Sequence, residues 1–237
     1  MSATVIIPTT GAPELRNAIQ SVLDQSYPDT ICYVIVDGEQ NYGKSSVILS
    51  EFGKRVKSAL LPINVGANGF YGHRVYAAFT HLINTDYVLY LDQDCWFDKN
   101  HVKNCIEKIE IDRVDWSYSL RNITNKDGNF LCKDNCESLG KWPVFSGDYN
   151  HIDTNCYCLK TQHAIRLASV WHGGWGQDRV WFKTLSEVLP NYGCTGQYTV
   201  NYRVAGNEGS VKPEFFYYGN QVMNEKYNGA FPWRKRI

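Results

Sequence analysis

No run of about 18 apolar residues occurs in this 237-residue sequence, so no segment reads as a membrane-spanning helix. Net charge is missing too. The 24 Lys and Arg balance 24 Asp and Glu, leaving no broad basic field to hold a polyanion, and nucleic acid is not an expected partner. The N-terminus, Met1-Ser2-Ala3-Thr4, lacks a basic segment followed by an apolar one. It reads as leaderless, which makes the expected setting cytoplasmic and the eight cysteines reduced thiols. Cys132-x-x-x-Cys136 and Cys156-x-Cys158 do not repeat a zinc-ligand spacing and read as ordinary core and loop thiols. Without a secretory signal the Asn122-Ile123-Thr124 sequon carries little. There is no Walker loop, no Gly-x-Gly-x-x-Gly fingerprint and no internal repeat. The basic run Arg234-Lys235-Arg236 reads as a solvated tail, with peripheral contact to an anionic membrane surface as the weaker alternative.

What the chain does have is a regular alternation of strand and helix patterns. Val5-Ile6-Ile7 before Pro8 predicts a buried strand, and Pro13 suits the first turn of a helix with Leu15, Ala18, Ile19, Val22 and Leu23 on one face. Residues 31–36 form a second apolar strand ending at Asp37-Gly38. A weaker helix near 44–55 leads to a strand near 58–61. After a glycine-bearing loop at 64–72, Val75, Phe79, Leu82 and Ile83 mark a helix. The strand 87–91 halts at Asp92, and Val102, Cys105, Ile106 and Ile109 give the next helical stripe. This rhythm predicts an α/β domain with a Rossmann-like, largely parallel sheet flanked by helices. The length suits a single domain, 1–237. Its regular half is 1–120. An irregular region covers 121–214, with loops or an added hairpin at 121–155 and helical spacing returning at Val180, Trp181, Thr184 and Leu185. An aromatic C-terminal tail, 215–237, packs across the domain.

Two local features point to chemistry. Asp92-Gln93-Asp94 follows an apolar strand directly, and in an open parallel sheet ligands bind outside the carboxyl ends of the strands. Two carboxylates one residue apart can share a hard cation, Mn²⁺ or Mg²⁺, that bridges to a diphosphate. Asp37 ends the neighbouring strand and suits a nucleobase or ribose contact, although a turn-forming Asp-Gly is an equal reading. Asn64, Gly66, His73 and Arg74 belong to a loop entering a helix, where backbone and cations can approach phosphate. The second feature is Trp171-His172-Gly173-Gly174-Trp175-Gly176-Gln177-Asp178. Its glycines, Gly174 among them, let the backbone fold under Trp175, an aromatic plate for a sugar face. Asp178 opens a helix, where a carboxylate could act as general base toward an acceptor hydroxyl. His172 is a minority candidate for a third metal ligand, and His163 reads as structural.

The chain resembles the family 2 glycosyltransferases of the GT-A fold. The matching pieces are Val5-Ile6-Ile7-Pro8-Thr9, Ala18-Ile19-x-Ser21-Val22-Leu23-x-Gln25-Ser26-Tyr27-Pro28, Val34-Ile35-Val36-Asp37-Gly38, Asn64-x-Gly66, Leu91-Asp92-Gln93-Asp94 and Asp178, in the family's order over roughly residues 1 to 190. Gly173-Gly174-Trp175-Gly176-Gln177-Asp178 is similar to the acceptor-side loop of galactosyltransferase-type relatives. The resemblance implies a nucleotide-diphosphate-sugar donor, UDP-hexose by default, a divalent metal, a glycan or other hydroxyl acceptor and inversion at the anomeric carbon. It places Thr9 and Asp37 on the donor, Asp92 near ribose or metal, Asp94 on the metal and Asp178 as the base. Three positions depart from the pattern: Gly38 where many relatives carry Asp, Thr10-Gly11 for Tyr-Asn, and Gln177 for Glu.

Two other readings compete. A sugar-phosphate nucleotidyltransferase would share the sheet and acidic site but needs a glycine-rich basic loop after the first strand, where this chain has Thr9-Thr10-Gly11-Ala12-Pro13-Glu14. A non-catalytic carbohydrate-binding protein would use the abundant aromatics but has no need of Asp92, Asp94 and Asp178 together.

Overall fold

The structure is a computed structural model and describes residues 1–147, 149–204 and 211–234. β1 (Ala3–Thr9) is buried along its whole length. It pairs in parallel with β2 (Thr30–Val36) on one side and β4 (Tyr87–Tyr90) on the other. β3 (Val56–Leu60) continues the parallel run beyond β2. Strands covered on both faces need apolar residues at successive rather than alternate positions, which Val5-Ile6-Ile7 and Val34-Ile35-Val36 supply. The connecting helices are α1 (Leu15–Leu23), α2 (Tyr42–Phe52) and α3 (His73–Phe79), with α4 (His101–Asp112) further on. α1 buries Leu15, Ala18, Ile19 and Val22, and α4 buries Val102, Cys105, Ile106 and Ile109, the stripes their spacing predicts. All four strands therefore end on one sheet edge, and Thr9, Asp37 and the Asp92–Asp94 segment lie there.

The second half adds strands by a different route. The short β5 (Trp96–Phe97) follows Asp94 directly. β6 (Trp116–Thr124) and β7 (Phe130–Lys133) form the expected added hairpin. β8 (Tyr157–Lys160) runs antiparallel between β4 and β6, and β9 (Tyr192–Arg203) runs parallel to β6 and carries β5 on its outer edge. The sheet order is β3-β2-β1-β4-β8-β6-β9-β5, with β7 on β6. Helices α5 (Thr161–Leu167) and α6 (Gln177–Val188) sit between β8 and β9. β9 escaped the sequence reading because Gly193, Gly196 and alternating polar residues blur its pattern. The C-terminal aromatic stretch does pack across the domain, but much of it is a helix, α7 (Pro213–Tyr227), rather than a tail, and the boundary at 215 falls inside it. Pro213 supplies a helix start, and Phe216, Met223, Phe231 and Trp233 are buried. Lys235 and Arg236 of the basic run lie outside the described residues. No helix among the described residues is long and apolar enough to cross a membrane.

One residue organises the irregular segment between β7 and β8. Arg121 on β6 is 1% exposed, and its guanidinium donates to Asp134 at 2.8 Å, to Asp153 at 2.6 Å and to Glu137. Tyr202 of β9 lies 4.3 Å from it and Phe216 of α7 5.4 Å, ring to cation. Burial alone would lower the Arg121 pKa, but Asp153, Asp134 and Glu137 outweigh it and hold the charge. Asp134 in turn accepts backbone N–H groups from Cys136, Glu137 and Ser138; burial would raise its pKa, but the Arg121 charge and these N–H groups outweigh it and hold the carboxylate below the usual range. Removing the cation would leave three buried carboxylates uncompensated, the case in which breaking a buried ion pair costs most. Arg121→Met should therefore destabilise the fold by about 3–5 kcal/mol, which lowers Tm by roughly 6–20 °C for a chain of this size. Urea unfolding checks this, and a loss below about 1 kcal/mol, the worth of a surface pair, would contradict the assignment.

His101 adds a pH dependence. Its ring stacks on Phe97 at 3.9 Å, Nδ1 lies 2.8 Å from the Thr199 hydroxyl, and burial pushes its pKa down to about 3. The unfolded chain binds this proton below about pH 6.5 and the folded chain only near pH 3. The contribution is thus fully present above about 6.5 and is lost as pH falls, at up to ~1.4 kcal/mol per unit. His101→Gln should flatten the fall in urea midpoint between pH 7 and pH 5. An unchanged slope would place the titration elsewhere.

Candidate active site

A cleft of about 580 Å³ opens along the carboxyl edge of the sheet. On its donor side, Asp92 is held from three directions. The Tyr76 hydroxyl of α3 donates to Asp92 Oδ1 at 2.9 Å, and Asn155 Nδ2 donates to Oδ2 at 2.9 Å. Asn155 Oδ1 also accepts the Asp92 backbone N–H at 2.6 Å. Burial first, then the charges of Asp94 and Asp153, push the Asp92 carboxyl up to about 7. Burial also raises Asp94, whose Oδ1 accepts the Cys95 thiol at 3.7 Å, while its backbone carbonyl accepts Arg203 Nε at 3.1 Å. Gln93, between the two, points the other way: its Oε1 accepts the Thr9 hydroxyl at 2.7 Å and the Thr10 N–H at 3.1 Å, closing the β1 turn.

Asp37 is buried and lines the cleft, with both carboxylate oxygens engaged by backbone N–H groups, Val65 at 2.7 Å and Gly66 at 2.9 Å. It therefore organises the 64–66 loop. Gly66 is obligatory, since a Cβ there would run into the Tyr71 carbonyl. Asn64 lines the same wall, with its Oδ1 buried and unpartnered. His73, at the start of α3, stacks on Trp171 at 5.7 Å and lies 3.2 Å from the Gly173 carbonyl. Desolvation lowers its pKa, so it presents a neutral ring.

The acceptor side is built on a tryptophan stack. Trp171 and Trp181 lie face to face at 4.5 Å, with Tyr90 and Tyr157 edge-on, which pins the 171–176 loop against α6. Gly176 caps α6 with φ +80°, a left-handed conformation that suits glycine. Asp178 thereby sits in the first turn of α6, where its Oδ1 accepts the Arg179 N–H at 2.9 Å. Trp175 is 77% exposed at the mouth, and Arg179 is sandwiched between it and Tyr149, at 5.1 and 3.9 Å. Arg121, Glu137, His151 and Asp153 complete the floor.

Of the residues chosen from sequence, Thr9, Asp37, Asn64, Gly66, His73, Asp92, Asp94, Trp175 and Asp178 converge on this cleft. Arg74, Gly174 and His172 do not. Arg74 stacks on Phe70 at 3.2 Å, and Gly174 packs under the Gly69 carbonyl. His172 is exposed, faces Phe70 at 6.3 Å and is not among the residues lining the cleft. The structure thus does not support His172 as a third metal ligand. No group of three or more His, Cys, Asp or Glu placed to hold a metal occurs among the described residues. A divalent cation that completes its shell with substrate phosphates needs only one or two carboxylates. Burial, the largest cause, raises the pKa of both Asp92 and Asp94, and a cation bound beside them would favour their ionised forms. Gln93, Asn155, Tyr76, Arg121, Glu137, His151 and Arg203 were not singled out from sequence. Only Gln93 and Arg121 had a local cue, next to a recognised motif or isolated in an apolar strand.

Comparison with known proteins follows this geometry. The sequence profile of glycosyl transferase family 2 matches residues 4–155. No curated protein matches the chain. Among solved structures, the S. aureus TarS fragment 1–349 bound to UDP-GlcNAc is similar with a TM-score of 0.66 at 14% identity, covering 95% of this chain and 66% of that one. The same fragment with UDP gives 0.64 at 14%, with coverage of 95% and 65%. TarS itself gives 0.62 at 14%, with coverage of 95% and 39%. The chain thus spans at most about two-thirds of these structures' length, and at such identity they speak for the fold. The profile match covers well over half of the sequence, including every strand of the parallel half and the Asp92–Asp94 segment, and on it the chain belongs to glycosyl transferase family 2.

Proposed function

We propose that this chain transfers a sugar, a hexose by default, from a UDP-sugar to a glycan or other hydroxyl acceptor by a single displacement that inverts the anomeric carbon. One observation carries the reading: Asp92 and Asp94, at the end of a parallel strand, line the same cleft as Asp178, in the first turn of α6. The TarS complexes with UDP and UDP-GlcNAc support the choice of nucleotide. In this reading Asp37 and the 64–66 loop hold the nucleoside. Asp178 takes the acceptor's hydroxyl proton as that oxygen bonds to the anomeric carbon. The bond from carbon to diphosphate breaks on the opposite face, and UDP leaves. A divalent cation, Mn²⁺ or Mg²⁺, held by Asp92 and Asp94 would supply Lewis-acid stabilisation of the leaving diphosphate. Tyr76 and Asn155 hold the Asp92 carboxyl by hydrogen bonds to its two oxygens. Trp175 offers its exposed face to the acceptor.

Two experiments test the parts separately. Mn²⁺ together with UDP should raise the melting temperature of the wild type, and Asp94→Asn should abolish that joint shift while leaving the ligand-free melting temperature near normal. An undiminished shift in Asp94→Asn would remove Asp94 from the metal site. Asp178→Asn keeps shape but cannot accept a proton, so it should bind UDP normally and lose kcat by about 10²–10⁴. Wild-type turnover in Asp178→Asn, or a product that retains the donor's anomeric configuration by NMR, would overturn the mechanism.

A further inference from the structure

His151 lines the cleft on the segment that runs into the Arg121 cluster, and none of the chemistry above uses it. Its side chain is 5% exposed, and Nε2 lies 3.6 Å from Asp178 Oδ2. Its backbone is fixed, since the His151 carbonyl accepts the N–H groups of Leu139 at 3.1 Å and Gly140 at 2.8 Å. Two residues on, Asp153 is tied to Arg121. The imidazole is thus set by the rigid floor of the cleft, while Asp178 belongs to the opposing helix.

The ring's two nitrogens are in unequal surroundings. Nδ1 is buried and, among the described residues, has no hydrogen-bond partner, whereas Nε2 faces a carboxylate oxygen. A neutral imidazole carries one N–H. Placing it on Nδ1 would bury an unsatisfied donor and turn the Nε2 lone pair toward Asp178. Placing it on Nε2 leaves only an unused acceptor buried and aims the donor at the carboxylate. The geometry selects the second tautomer.

We propose that His151 is a positioning residue for Asp178: its Nε2–H holds Oδ2, fixing the carboxyl so that the remaining lone pairs face the acceptor hydroxyl. The inference rests on the reading of Asp178 as general base. The separation exceeds a direct N–H···O bond by about 0.6 Å, a gap of the kind that closes when substrate assembles a catalytic site. Oδ2 can accept this N–H whether Asp178 is ionised or protonated. The carboxyl therefore keeps its orientation as it gains the acceptor's proton, and no proton passes to His151.

Two measurements test the proposal. Nitrogen-15 NMR of the ligand-free protein should show His151 as the Nε2–H tautomer, and an Nδ1–H tautomer would overturn it. Turnover is read as UDP release from UDP-glucose or UDP-N-acetylglucosamine, with water or a free hexose as acceptor. His151→Met, similar in bulk but without a donor, should lower kcat by about 10–100-fold, the scale of a small misplacement of a reacting group. UDP affinity and acceptor KM should stay within about twofold of wild type. His151→Gln, which keeps an N–H near the Nε2 position, should recover most of the loss. In an Asp178→Asn background His151→Met should cost nothing further, because the group it positions is already disabled. An equal loss in both backgrounds would show a merely structural role, and wild-type turnover in His151→Met would refute the proposal. Should Asp178→Asn alone turn over normally, the base assignment itself fails, an outcome visible without any change at His151.

Discussion

The Arg121 guanidinium, almost fully buried at the cleft floor, carries one positive charge among Asp134, Glu137 and Asp153, and the segment between β7 and β8 is ordered around it. That segment has little regular backbone pairing of its own, apart from the turn that Asp134 closes and the contacts around His151. Its folded shape depends on a cation that β6 delivers and that β9 and α7 cover with aromatic rings. The same cluster reaches the donor side. Asp153 accepts from Asn155 Nδ2, and Asn155 grips Asp92 by side chain and backbone. An electrostatic arrangement in the core of the second half thus sets the rotamer of a carboxylate at the end of β4.

Burial shapes the cleft's chemistry as much as charge does. Burial raises the pKa of both Asp92 and Asp94, and Arg203 donates to the Asp94 backbone carbonyl. Arg179 has no carboxylate partner among the described residues and rests between two rings instead.

The parallel half was legible in the sequence because strands buried on both faces must be apolar throughout and their helices must carry a stripe. The end of such a strand is where polar residues become functional, which is why Asp37 and Asp92-Gln93-Asp94 stood out. The second half was less legible. β9 alternates and contains glycines, and α7 is so aromatic that its helical period is obscured. Arg121, Asn155 and His151 act through partners that include Asp153, Asp92 and Asp178, 32, 63 and 27 residues away, and no local pattern encodes those pairings. Conversely, His172, Arg74 and Gly174 looked suitable by proximity along the chain, but none of them lines the cleft, and His172 and Arg74 face the Phe70 ring.

The grip of Asn155 on Asp92 bears on how enzymes of this build can diversify. A loop that merely approached the acceptor could be exchanged between relatives without disturbing the donor. Here the stretch that shapes the acceptor floor also anchors a donor-side acid, so it cannot be inherited as an interchangeable module. In the proposed reading, change in acceptor choice would fall instead to exposed side chains at the mouth, such as Trp175. The floor then behaves as a fixed chassis and the rim as the surface on which selection acts.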